Sequence, residues 1–286
     1  MKKYVLMPIE KIINRLNKAK RESFLVLLFI SSCCCVNAQS VNVGLTGSFG
    51  DVSFINKNFS SATAQTSTFK PSYNGGLLFA INYKNGLSLE LDILKGTMNE
   101  GFQGAFSTSG SFIVGNSSIS YSPNQSYTSK IALGVTQLPF MIRYKSKPTS
   151  VYIEAGMEYD GISSATYSAT YSNPSYSATQ NAIIAYAQGA FAALAGLGWD
   201  KELRKESYFY LDMGVRIAYG LTDLQGVDGH GQNIGDQALY KTNNTSYIPY
   251  YLASGYQTTH TLELSAHLGI FYKFPRKQKS NIEVDF

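Results

Sequence analysis

Cysteine is scarce in this 286-residue chain, and its three copies stand side by side as Cys33, Cys34 and Cys35. Everything after them lacks the means to form a disulfide or to use a thiolate. Charge is scarce as well, at 15% of residues. No apolar run approaches the roughly 18 residues that a membrane-crossing helix requires. A formal charge of +5 would suggest an anionic partner, but seven Lys or Arg and two acids lie within residues 1–38, leaving 17 of each sign beyond them. That neutral remainder carries no basic footprint for nucleic acid.

The amino-terminal residues read as an export signal. Lys2, Lys3, Lys11, Arg15, Lys18, Lys20 and Arg21 precede an apolar stretch, Phe24 to Ile30, and a small-residue exit ending Val36-Asn37-Ala38, the order found in a secretory leader. We expect residues 1–38 to be removed, with Gln39 first in the mature chain. Ile30-Ser31-Ser32-Cys33 also resembles a lipobox, which would instead acylate Cys33.

The remainder is built on a period of two. From Thr261 to Phe274, Leu262, Leu264, Ala266, Leu268, Ile270, Tyr272 and Phe274 alternate with Thr261, Glu263, Ser265, His267, Gly269, Phe271 and Lys273. One face is therefore apolar and the other mostly polar. The run exceeds a typical globular strand of about five or six residues and suits a tilted membrane-crossing strand of roughly ten with interfacial ends.

Seven further runs alternate in the same way. Their apolar faces begin with Val41, Val43, Leu45 and Phe49, then Leu77, Phe79, Ile81 and Tyr83, then Leu87, Leu89, Leu91 and Ile93. The fourth shows Ile131, Leu133 and Val135 outward and resumes out of step as Leu138, Phe140, Ile142 and Tyr144. A β-bulge beside Pro139, which has no N–H for a ladder, is expected at that slip. The fifth shows Val151, Ile153, Ala155, Met157 and Tyr159, the sixth Phe191, Ala193, Ala195, Leu197 and Trp199. Phe209, Leu211, Met213, Val215, Ile217, Tyr219 and Leu221 form the seventh.

Connections after the second, fourth and sixth runs are short, and Lys84-Asn85-Gly86 reads as a tight hairpin. Those after the first, third, fifth and seventh are long and rich in Ser, Thr, Tyr, Asn and Gly. This alternation predicts an all-β, eight-stranded antiparallel up-and-down barrel in a bacterial outer membrane over residues 39–274, with long external loops. Both termini would be periplasmic, with residues 275–286 as a short tail. Tyr83, Tyr144, Trp199, Phe209, Tyr272 and Phe274 would then ring the periplasmic interface, and Phe49, Tyr73, Tyr159, Phe191 and Tyr219 the external one. A soluble β-sandwich or lipocalin-like barrel would also alternate, but with its apolar face inward and its charges outward. Strand length, loop alternation, girdles and leader together favour the membrane.

The segment Gln137-Leu138-Pro139-Phe140-Met141-Ile142-Arg143-Tyr144, followed after a short turn by Tyr152-Ile153-Glu154-Ala155-Gly156, resembles the PorT-like outer-membrane barrels of Bacteroidetes. In that family an acidic residue usually precedes the apolar-Pro step and a lysine precedes the tyrosine; here Gln137 and Arg143 stand in. The resemblance implies an outer-membrane barrel, and its founding member implies an accessory role in protein secretion.

Eight strands leave an interior that side chains just fill. Inward positions offer Glu90, Asp92, Glu154, Glu158, Asp212 and Glu263 against Arg143, Arg216 and Lys273, with His267 on the same face. Buried charges have to be paired, so these residues suggest a cross-linked polar plug, a proton or ion path being the alternative. His260, Glu263 and Ser265 are the residue types of a nucleophilic triad, but parity sets His260 on the lipid side. His230 among Gly226, Asp228, Gly229, Gly231 and Asp236 has cation-binding residue types at a spacing that matches no known loop. Ile162 to Gln180 repeats Tyr, Ser, Ala and Thr, a vocabulary of adaptable recognition surfaces or of strands extended above the membrane.

The expectation is a noncatalytic barrel without cofactor or metal, structural or interaction-mediating in type, as an envelope or secretion accessory. Its partners would be outer-membrane lipid and, through the loops, envelope or secretion proteins. A narrow transport pore and a lipid-acting enzyme are the competing readings.

Overall fold

The structure, a computed structural model, describes residues 40–55, 65–105, 110–114, 117–121, 126–146, 150–171, 177–183, 186–204, 208–224 and 258–275. Eight strands close a ring: β1 (Ser40–Ile55), β3 (Ser72–Asn82), β4 (Leu87–Ala105), β7 (Ser126–Lys145), β8 (Val151–Tyr171), β10 (Gly189–Glu202), β11 (Phe209–Gly220) and β12 (His260–Pro275). Each pairs antiparallel with its neighbour, and β12 returns to β1 with Ser40 opposite Pro275. Closure removes both sheet edges, so every strand of the ring has two ladders. Short strands decorate one end: β2 (Gln65–Thr68) on β4, the β5–β6 hairpin (Gly110–Val114, Ser117–Tyr121), and β9 (Ser177–Asn181) on β8. We call this the loop end. The opposite, turn end holds the three short connections, the first closed by Gly86 at φ 87°, a conformation open to glycine.

The outward face is a belt of exposed apolar side chains, among them Leu45 at 66%, Ile153 at 61% and Leu264 at 61%. The apolar face assigned from the sequence is the outward one on seven of the strands and on the lower half of β7. Its upper half is a correction. Ile131, Leu133 and Val135 point inward and are fully buried, and Gln137, Met141 and Arg143 continue the same parity without a slip. Nor is there a bulge at Pro139: the β4–β7 register is the same on either side of it. The extra residue sits on β8, where the partners of Val135 and Gly134 are Ile162 and Ser164, so Ser163 is unpaired. That bulge moves β8 from even inward positions (Glu154, Glu158, Ile162) to odd ones (Ala165, Tyr167, Ala169).

Apolar residues therefore change sides along the wall. Beyond the level where Tyr73 pairs with Thr97, Val52, Phe54, Met98, Phe102, Ile131, Leu133, Ile162, Tyr167, Tyr186 and Leu224 fill the interior as one core. A wall standing in water has to bury its apolar face inward, as in any soluble barrel. The Tyr/Ser stretch of β8 follows this rule, with Ala165, Tyr167 and Ala169 inside and Thr166 and Thr170 exposed.

Candidate functional site

Inside the belt, the inward positions carry charge. Arg143 on β7 donates from Nη2 to Glu90 Oε1 (2.9 Å) and Glu154 Oε2 (3.0 Å) and reaches Asp212 Oδ2 at 3.4 Å. Arg216 on β11 donates from Nε to Glu154 Oε1 (2.7 Å), from Nη1 to Asp92 Oδ2 (3.0 Å) and from Nη2 to Glu90 Oε1 (3.1 Å). Two guanidiniums thus knit four carboxylates from β4, β8 and β11 into one layer, all with side chains at most 6% exposed. A buried pair is tolerated only when geometry and hydrogen bonds offset its desolvation, and the forked Arg donors supply both.

Tyr152 completes the layer. Its ring lies under Arg143, 3.7 Å from Cζ to centroid, and its hydroxyl donates to Asp212 Oδ1 at 2.7 Å, with His267 Nε2 at 2.8 Å. Glycines directly opposite on the neighbouring strands leave the space: a Cβ at Gly198 would meet the Tyr152 hydroxyl at 2.3 Å, and one at Gly214 would meet His267 Cε1 at 2.4 Å.

A second layer lies toward the loop end. Gln137 Nε2 donates to Glu158 Oε1 at 3.0 Å, and Asn74 Nδ2 donates to Gln137 Oε1. Asp160 and Glu263 stand close to Glu158 at the same level. The apolar core begins above this layer. Below the arginines a vestibule of about 300 Å³ opens at the turn end, lined by Asn42, Asn82 and Tyr210, with Glu90 and Arg143 at its floor. Lys273 stands in this vestibule, its Nζ 5.4 Å from the Tyr210 ring centroid, apart from the arginine layer. Lys145 and Asp200 form an ion pair at the rim.

The aromatic residues fall at the two borders of the belt. Tyr144, Phe209 and Phe274 are about half exposed at the turn end, where Tyr272 contacts Phe209 (5.2 Å) and Phe274 (4.5 Å) ring to ring. Tyr83 and Trp199, both partly exposed, share that border. Phe49, Tyr73, Tyr159, Phe191 and Tyr219 are exposed toward the loop end, Tyr159 and Phe191 with centroids 5.1 Å apart.

His260 stacks on Tyr219 with its Nδ1 3.0 Å from Gly220 O, while Glu263 and Ser265 face the lumen. These three do not converge into a triad. The His230 cluster lies outside the described residues. Among the described residues no group of three or more His, Cys, Asp or Glu is placed to hold a metal ion. The sequence reading missed Tyr152, Asn74, Gln137 and Asp160 as lumen residues. Parity would have found Tyr152 and Asp160, which share the inward face of Glu154 and Glu158.

No curated protein matches the chain. Among solved structures it is similar to the outer membrane protein OprG from Pseudomonas aeruginosa, at 10% identity and TM-score 0.34, covering 84% of this chain and 98% of that one. It is also similar to Ail, the attachment invasion locus protein of Yersinia pestis, at 9% identity and TM-score 0.33, covering 82% and 99%. A third similarity is to Neisserial surface protein A, at 10% identity and TM-score 0.32, covering 82% and 97%. These likenesses are too distant to carry an argument of their own. The model of one protein family, described as the outer membrane protein beta-barrel domain, matches residues 37–226. With most of its length matched in this way and its strands closed into a ring with an apolar outer belt, the chain belongs to the outer membrane protein β-barrel domain family.

Proposed function

We propose that the mature protein is a plugged, noncatalytic outer-membrane barrel that serves the envelope as a structural or interaction-mediating element. The observation that carries this reading is the arginine layer: Arg143 and Arg216 cross the lumen to four carboxylates, and breaking such a pair to open a path would strand buried charge. The leader, residues 1–38, is removed on export, both termini and the turn end face the periplasm, and the loop end faces outward. The PorT-like segment from Gln137 to Tyr144 supports a role beside a protein-secretion system, with partners met through the loops.

Planar-bilayer recording on the purified full chain tests the plug. No sizeable conductance is expected. Large, stable single-channel steps that survive replacement of the long loops would overturn the plug in favour of a transport pore. A pull-down from intact envelopes, before and after trimming of the external loops, tests the partner role. Retention of the same proteins by the trimmed barrel would remove the loops from it.

A further inference from the structure

Charge is rare on the outward face of the wall. Among the described strand residues of its loop half it is confined to Asp51, Lys95 and Lys130, the two lysines on the adjacent strands β4 and β7. Lys70 joins them from the residues just before β3. Its side chain is laid over Gly101, where an added Cβ would meet Lys70 Cγ at 2.6 Å and Cε at 2.9 Å. Gly101 is also the cross-strand partner of Lys130. The glycine thereby brings two ammonium-bearing chains onto neighbouring positions of one outward patch. Like charges so placed repel, and neither these two nor Lys95 has an ion pair or hydrogen bond among the described residues.

The height of the patch selects its counter-charge. Tyr73, in the loop-end girdle, pairs with Thr97 on β4, and Gly101 lies four residues further along. At about 3.3 Å per residue and a tilt of about 40°, that is roughly 10 Å beyond the girdle. Lys95 starts two residues on the apolar side, with a stem long enough to bring its ammonium up to the interface. Aromatic girdles sit at headgroup level, so the three lysines bracket the shell where lipid phosphates lie.

We propose that Lys70 and Lys130, with Lys95 beneath them, dock a phosphate-bearing lipid headgroup in the leaflet that surrounds the loop end. The site rests on the transmembrane placement of the belt and is independent of whether the lumen is plugged. The sources of the phosphate, a lipid or the free ion, separate experimentally.

The test is lipid titration of the full-length mature protein in detergent micelles, read by native mass spectrometry, with lipid A and its dephosphorylated form as probes. The double variant Lys70→Gln/Lys130→Gln should bind lipid A about 30-fold more weakly, the scale expected for two basic residues at a lipid surface. Lys201→Gln, an outward lysine at the turn end, should bind like the parent. Gly101→Ala, which displaces Lys70 while keeping every charge, should also weaken lipid A. Millimolar inorganic phosphate should leave the lipid bound. Unchanged affinity in the double variant, equal affinity for the two lipids, or displacement by inorganic phosphate would each overturn the proposal. Heat-modifiable migration of every variant, with protease protection in vesicles, reports failure of the barrel itself as a separate result.

Discussion

Arg216 on β11 and Asp92 on β4 meet at 3.0 Å although their strands stand four places apart in either direction around the ring. The contact is a strut across the full diameter of the barrel. Arg216→Met should leave Asp92 and Glu154 without their closest cation, at a cost of about 3–5 kcal/mol. Adding Asp92→Leu should recover part of that loss, since an apolar pair of similar volume tolerates burial. Urea unfolding in lipid vesicles measures both; equal stability of Arg216→Met and parent would show that the strut contributes nothing.

The belt makes a second prediction. Leu45 is 66% exposed near mid-strand, paired with Leu77 and Ile270. Leu45→Arg should cost about 2–4 kcal/mol, the scale of a cation at the bilayer midplane. Thr166→Arg, equally outward but beyond the girdle, should fold as well as the parent. If the two arginines destabilise alike in refolding titrations, the membrane boundary is misplaced.

A one-residue insertion between Ser164 and Ala165 tests the register that the bulge sets. With the pairing below it unchanged, β8 would turn Ala165, Tyr167 and Ala169 out of the core. The variant should fold poorly or lose protection of the loop end in hydrogen exchange, while the strand pairs of the turn end stay protected. Uniform protection like that of the parent would exclude a register-setting role for the bulge.

The two halves of β7 explain what was legible in the sequence. Period-two patterning identified the strands, the short turns and the outward faces of the belt, because lipid demands an unbroken apolar face. It misplaced Ile131, Leu133 and Val135. Alternation shows that a strand has two faces, but which one is buried is set by the surroundings, and these change from lipid to water partway along the strand. The apparent slip near Gln137 was this change, not a kink in the chain. Inward carboxylates and arginines were readable from parity; Tyr152 shares that parity, but its contacts with Arg143 and Asp212 have no signature in the sequence. Which side chains meet across the lumen depends on barrel closure and strand stagger, and no local pattern encodes those.

Leu133 and Phe140 separate the two environments on one strand. Leu133, fully buried in the loop-end core, should cost about 2–5 kcal/mol when changed to Ala. Phe140, 50% exposed on the belt, should cost much less in a bilayer. Thermal unfolding in vesicles compares them, and a larger loss at Phe140 would reverse the assignment.

Glu100 lies on β4 beyond the belt, opposite Ile131, where it accepts hydrogen bonds from the Phe54 N–H and from Ser67 Oγ at 3.0 Å. Burial pushes its carboxyl up to about 8, against the lowering effect of those two donors. A raised acid favours the folded state fully below its ordinary range near 4.5, and that contribution is lost as pH rises toward 8. The loop-end core should therefore loosen as pH rises from about 4.5 to about 8, as read by hydrogen exchange at Phe102 and Leu133. Glu100→Gln should flatten the dependence, and an unchanged profile would assign it elsewhere.

The exchange of apolar and polar faces near Tyr73 and Thr97 gives the barrel a fixed waterline. Sliding the protein by one residue along its strands would move it about 2.5 Å along the membrane normal. A shift in the direction of the turn end would draw the hydroxyl-rich outer surface of β8 into lipid, and the opposite shift would lift Phe49 and Tyr73 into water. Both displacements are unfavourable, so immersion is held from two directions by the same wall. A bilayer of different thickness would then have to adjust to the protein, thinning or swelling around it, since tilting further would strain a ring already braced across its diameter.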